Sequence, residues 1–214
     1  MTMIRETVVT TMSADGTPHV APFGLIEAPG GWIIAPFHPS TTLDNLRAVP
    51  QAVANYTDDV RIFAGCLTGR RDWDLRPSRL VAPKRLAATL AHAEMEVVSV
   101  QEDAMRPRFL CRIVHSEAHA PFAGFNRAQA AVIEACILVS RLSMLPREKV
   151  EQEIAYLEIA IGKTAGDPER EAWEWLMEAV RLHYAASSAT ATAGAQSQSH
   201  SLDADSPSKS ANST

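Results

Sequence analysis

At 214 residues the chain is long enough to bury one substantial core, and its formal net charge of −5 has the wrong sign for a general binder of nucleic-acid backbones. Apolar residues make up 46% and charged residues 21%, the balance of a soluble globular protein, and the paired cations Arg70-Arg71 and Lys84-Arg85 build no basic stripe. No apolar run approaches the ~20 residues that span a bilayer, and the N-terminus has no apolar core of a secretion signal, so neither a membrane span nor a leader is expected. The three cysteines, Cys66, Cys111 and Cys136, are odd in number and lack CxxC spacing, which points to reduced thiols in a cytoplasmic protein. His115 and His119 lie four apart, but no third ligand is seen to complete a triad, and no metal site is expected.

In chain order, residues 1–120 read as mostly β. A Val- and Thr-rich strand over 4–12 meets a returning strand over 20–27 through the hairpin signal Asp15-Gly16. Pro29-Gly30-Gly31 turns the chain into a third strand at 32–35. Residues 40–47 read as a short helix with a hydroxyl side chain for its cap, and 51–57 as a fourth strand. Residues 60–80 look irregular, with an exposed loop at 71–74. Residues 84–93 read as a helix, and 95–101 and 108–117 as two further strands.

After Pro121 the pattern becomes helical. A helix is expected over 126–145. A second carries the apolar stripe Val150, Ile154, Leu157 and Ile161, with Gly162 as its C-terminal cap. A third starts at Asp167-Pro168 and carries Trp173, Leu176, Val180 and Tyr184 on one face. Of Trp173 and Trp175, two apart, only one fits the bundle face. From 185 onward the chain is Ser, Ala, Thr, Gln and Asp without periodicity, and reads as a disordered tail. The expected organisation is therefore a β domain over 1–120, a helical segment over 121–184 and a tail over 185–214.

The chemistry concentrates in residues 21–45. A strand that holds Pro22 and Gly24 is awkward inside a sheet, because proline lacks a donor and glycine a packing side chain; glycine there often marks the close approach of a flat ligand. The next strand runs through Pro36-Phe37-His38-Pro39 into Ser40-Thr41-Thr42 at a helix mouth, where free N–H groups and the positive dipole end suit a phosphate. Taken separately, the hydroxyls read as a simple cap and Pro22 with Gly24 as a bulge on an edge strand. His19 and His38 flank this stretch, either a proton donor or a surface histidine without a role, and Cys66 reads as core.

The order ETVVTT, DG, HVAPFG, STTLDNL, VANYTDD resembles the FMN-binding split β-barrel superfamily of flavin reductase and pyridoxamine-phosphate oxidase-like proteins, and more closely the DUF447 family. A second signature supports it: Phe125-Asn126-Arg127-Ala128, Val132-Ile133-Glu134-Ala135 and Ser140-Arg141-Leu142. The resemblance spans roughly residues 4–183. It implies an α+β chain, a mostly antiparallel split β-barrel followed by a three-helix segment. It also implies FMN as cofactor, with the ring along Ala21-Pro22-Phe23-Gly24, the phosphate at Ser40, Thr41 and Thr42 with Asn45 one turn on, and Asn55 facing the ribityl chain or ring. A homodimer with flavin at the subunit interface follows from the same likeness. The oxidase pattern places Arg and Lys beside the serine. Hydroxyls replace them here, so phosphate binding is expected to rest on neutral donors and the helix dipole.

Arg127, Glu134 and Arg141 are spaced by seven along the helix expected at 126–145 and share one face. They read as salt bridges to the barrel or a second subunit, or, for Arg127, as a group that reaches the flavin phosphate or the substrate. The expected activity is electron or hydride transfer through the flavin to an unidentified small molecule, with no obvious catalytic acid or base. The alternatives are a module that holds flavin, haem or deazaflavin without turnover, and a flavin-free scaffold whose helices dock a partner.

Overall fold

The computed structural model describes the backbone of residues 2–200 and the side chains of residues 2–186. Its elements are, in order, β1 (Ile4–Met12), β2 (Pro18–Ala28), β3 (Gly31–Ile34), α1 (Thr41–Ala48), β4 (Gln51–Tyr56), α2 (Val60–Leu67), β5 (Leu75–Arg76), β6 (Arg85–Leu86), β7 (Ala91–Gln101), β8 (Arg108–Ala118), α3 (Arg127–Val139), α4 (Arg147–Thr164) and α5 (Asp167–His200). Six strands close into an antiparallel barrel in the order β1-β2-β3-β8-β7-β4, and β5 and β6 form a small separate ribbon. Of the expected tail, 201–214 lie outside the described residues. Among the described residues no helix is long and apolar enough to cross a membrane.

The hydroxyl-rich run in β1 shows why the sequence does not alternate there. Thr7 to Thr11 are all buried, because one face of the strand lines the barrel and the other lies under helices. Val9 joins Leu25, Ile34, Met95 and Phe109 inside the barrel, while Val8 packs outward against α2, α3 and α5. The buried hydroxyls find partners: Thr7 Oγ1 donates to Phe23 O, and Thr10 and Thr11 accept from Asn55 and Asn45. The expected hairpin is present, with Gly16 at φ 88° in its five-residue loop and Met12 facing Pro18.

The puzzle of Pro22 resolves in the pairing. β1 pairs with β2 along its length, with Val8 opposite Pro22 and Glu6 opposite Gly24. β3 pairs with β2 only over Ile26–Ala28. Residues 18–25 therefore have one strand neighbour, and a proline is tolerated where no second ladder needs its N–H. The barrel is split at this edge.

Several sequence expectations fail. Residues 60–67, read as irregular, form α2, capped by Asp59, which accepts from Arg61 N at 3.1 Å. Gly65 lowered the helical signal, yet it admits Trp73: a Cβ at Gly65 would sit 2.6 Å from that ring. Residues 84–93, read as a helix, form β6, a turn and the start of β7, because Leu86 N donates to Asn55 Oδ1 and Leu90 N to Tyr56 O. Tertiary bonds override the helix propensity of Leu86-Ala87-Ala88 there. The helix expected over 126–145 stops at Val139, its start fixed by Asn126, which accepts from Ala128 N. The next helix runs two residues past Gly162, and Trp173 takes the bundle face while Arg70 lies over Trp175 at 3.8 Å.

Candidate active site at the split edge

The open edge of β2 faces a cleft of about 410 Å³ between the outer barrel wall and the ends of α2 and α3. Ala21, Pro22, Phe23 and Gly24 form one side, and Ala35, Phe37, Ser40 and Thr42 another. Phe63, Cys66, Leu67, Cys136, Ile137 and Ser140 close the back. Such a volume, mostly apolar with a few polar groups, suits a cofactor-sized ligand. Gly24 keeps the wall open, since a Cβ there would meet Ile4 Cγ2 at 2.9 Å and Glu6 Oε1 at 3.3 Å.

Two guanidiniums line the same cleft, and sequence reasoning missed both. Arg106 donates from Nε to Ala35 O at 2.7 Å and lies over the Phe37 ring at 4.6 Å, which fixes its planar fork. Arg71 donates from Nη1 to Cys66 O at 3.3 Å. They come from the loops after α2 and after β7, 35 residues apart in sequence, and no local motif links them to Ser40. Ser40 caps α1, its hydroxyl accepting from Leu43 N at 3.3 Å. The site thus combines a helix N-terminus with two cations, where the sequence pointed to neutral donors, the dipole and Arg127.

The remaining candidates are placed as follows. Thr42 lines the cleft, and Thr41 is exposed beside it and outside the lining. Asn45 is buried, donating to Thr11 Oγ1 at 3.0 Å. Asn55 is fully buried among Val8 O, Thr10 Oγ1, Val53 O and Leu86 N. Arg127 is exposed at the start of α3 and lines a separate groove with Glu134 and Tyr156. His19 lines the cleft, while His38 lies outside the lining and donates its backbone N–H to Met105 O.

Burial holds the His19 imidazole below its ordinary range, and Arg71 adds to that, so the ring is neutral at neutral pH. Burial also pushes up the thiols, Cys66 to about 11 and Cys136 to about 12, which leaves both as inert thiols. Glu6 is raised, first by desolvation and then by repulsion from Glu134. An acid raised in the folded state is better tolerated protonated; its contribution is present at low pH and is lost as pH rises through the raised value. Glu6→Gln is therefore expected to raise the melting temperature at neutral pH, with the gain vanishing on acidification below the ordinary carboxylate range. Melting curves of parent and variant across pH check this; a lower melting temperature for the variant at neutral pH would contradict it.

A closed six-stranded barrel split along one edge, with its cleft against a helical cap, is a split-barrel architecture. The chain belongs to the DUF447 family, described as a protein of unknown function: the family's N-terminal domain matches residues 5–120 and its C-terminal domain residues 126–178. The structure resembles an FMN-bound DUF447 protein of Methanosarcina mazei, with a TM-score of 0.71 at 19% identity over 83% of this chain and 95% of that one. Weaker likenesses include 2-nitrobenzoate 2-nitroreductase of Pseudomonas fluorescens, at a TM-score of 0.46, 20% identity and 53% and 64% of the two chains. Flavoredoxin of Methanosarcina acetivorans gives a TM-score of 0.46 at 13% identity over 54% and 69%. No curated protein matches the chain.

Proposed function

We propose that the chain binds FMN in the cleft and acts as an FMN-dependent oxidoreductase, as a homodimer whose second copy covers the open side. The carrying observation is the cleft itself: an unpaired, proline- and glycine-bearing strand edge shares one cleft with two guanidiniums and the start of α1. The family's FMN-bound member supports the choice of flavin. Phe37, 56% exposed, and Leu67, 38% exposed, give the rim the apolar surface that a second subunit would bury.

The residues present fit the group. Arg71 and Arg106 match a phosphate dianion in charge and fork geometry, and Ser40 with Thr42 adds hydroxyl donors. The free edge of residues 21–24 offers main-chain donors and acceptors to a flat heteroaromatic, and Gly24 leaves its face uncovered. When bound, the flavin supplies hydride or single-electron acceptance and return. The chain's own part is to bind, orient and shield. Phe23 and Phe63 exclude water from the inner wall, and the neutral His19 serves as a hydrogen-bond partner in place of a cationic acid.

The purified protein is expected to be yellow or to take up added FMN to one equivalent per chain, with riboflavin bound far more weakly, and to pass electrons from a reduced nicotinamide to an artificial acceptor. Visible absorption, a binding titration and a nicotinamide-oxidation assay test this. A colourless protein without FMN affinity would overturn the reading, and stoichiometric FMN without turnover would leave a flavin carrier in place of an enzyme.

A further inference from the structure

On the barrel wall opposite β2, strands β7 and β8 bring together side chains that the cleft does not use. Ala93 and Met95 point into the barrel, so the alternate residues His92 and Glu94 point outward. Across the ladder His92 faces Glu117 and Glu94 faces His115. His92 is 2% exposed, Glu94 fully buried and His115 18% exposed in its side chain. Ligand-type atoms of His92, Glu94 and His115 all lie within 4.8 Å of one another.

Hydrogen bonding explains part of this cluster. Glu94 is clasped by three main-chain N–H groups, Arg79 on Oε1 at 2.6 Å and Leu80 and Val81 on Oε2 at 2.6 and 3.0 Å. His92 Nε2 lies 3.2 Å from Glu94 Oε1, and His92 Nδ1 lies 2.9 Å from His119 Nε2. One group is left over. His115 Nε2 is buried without a hydrogen-bond partner, the Glu117 carboxylate standing off at 3.7 Å. A buried polar nitrogen without a partner calls for an explanation.

We propose that His92, Glu94 and His115 form a site for one divalent transition-metal ion, with Zn²⁺ the ion that suits the donors. Two imidazoles and one carboxylate are a borderline-soft set typical of that metal. Two bonds of ~2.1 Å at a tetrahedral angle span ~3.4 Å between ligand atoms, near the 3.2 Å separation of His92 Nε2 and Glu94 Oε1. With Nε2 on the metal, His92 carries its proton on Nδ1 and donates it to His119, the outer hydrogen bond that orients a ligating imidazole. His115 Nε2 then has its partner. The loop clasp on Glu94 fixes the carboxylate before the ion arrives, and the ion staples residues 79–81 to β7 and β8. His119 and Glu117, both exposed, stand outside the trio.

The test uses the full chain, stripped of metal with a chelator and titrated with Zn²⁺ by calorimetry, alongside melting curves with and without the ion. The expected result is one Zn²⁺ per chain with a dissociation constant below about 1 μM and a raised melting temperature. Glu94→Gln risks unfolding the loop, so the decisive variant is His115→Ala, which removes no hydrogen bond of the metal-free protein. It is expected to lower the metal-free melting temperature only by the lost packing of that ring against His92, and to weaken Zn²⁺ binding by roughly a hundredfold or more. His119→Ala, at the outer bond, is expected to weaken it about tenfold. Absence of tight Zn²⁺ binding in the parent, or tight binding that survives His115→Ala, would overturn the assignment. Loss in His119→Ala with His115→Ala silent would move the ion to His92, Glu117 and His119, whose ligand atoms also lie within 4.8 Å of one another, and overturn it equally. Flavin content has no part in this readout, so its failure leaves the cleft reading standing.

Discussion

Replacing Arg71 and Arg106 together by alanine is expected to weaken FMN binding by roughly a hundredfold to a thousandfold, which corresponds to ~3–4 kcal/mol. Riboflavin binding is expected to change by less than about threefold. Hydrogen bonds to charged groups contribute ~1.5–3 kcal/mol each, and two guanidiniums that share one phosphate are not fully additive. Both side chains are exposed at the cleft rim, so their loss removes little core packing. Arg106 also anchors Ala35 O, and Arg106→Lys separates the two roles: it keeps the charge but loses the fork held by that bond. Thr41→Ala serves as the control, since its exposed hydroxyl lies outside the cleft lining. Calorimetry with both flavins decides the matter. Equal loss for FMN and riboflavin would show that the arginines shape the cleft without meeting a phosphate.

Much of the barrel was legible because its signals are local. Asp15-Gly16 announces the hairpin, Pro29-Gly30-Gly31 the next turn, and Asp167-Pro168 the start of α5. The strand edge at residues 21–24 was also legible as an open edge, since proline and glycine in a strand exclude an ordinary sheet interior. Two of the failures share one cause, which is that the deciding partner lies far away in sequence. Gly65 looks like a helix breaker until Trp73 is seen to fill the space its missing side chain leaves. Leu86-Ala87-Ala88 looks helical until the buried amide of Asn55 takes the Leu86 N–H. That second error concealed the histidine cluster as well. With a helix ending at 93, His92 and Glu94 fall on different elements; on one strand they share a face, and His115 lies directly across from Glu94. Arg71 and Arg106 carry no positional signal at all, since only closure of the barrel brings their loops to Ser40.

Asn55→Ala is expected to cost about 4 kcal/mol of stability and to lower the melting temperature sharply. The side chain is fully buried, and its amide ties the barrel strands β1 and β4 to the β5–β6 ribbon. Nδ2 donates to Val8 O and Thr10 Oγ1 at 3.0 Å each, and Oδ1 accepts from Leu86 N at 2.8 Å. Alanine strands that N–H and leaves the Thr10 hydroxyl without its donor, at ~1–3 kcal/mol for each unsatisfied buried group. The cavity adds to this. Asn55→Asp keeps an acceptor for Leu86 but loses both donors and buries a carboxylate, so it is expected to be at least as damaging. The resemblance to flavin-binding barrels gives Asn55 a different role, facing the ribityl chain or ring, and the two roles separate cleanly. A structural amide predicts a lower melting temperature without flavin and, in the fraction that stays folded, nearly parental FMN affinity. A ligand contact predicts the reverse. An Asn55→Ala protein that melts with the parent but binds FMN tenfold or more weakly would return this residue to the cofactor and show that the amide leaves its β1 and Leu86 partners when flavin is present.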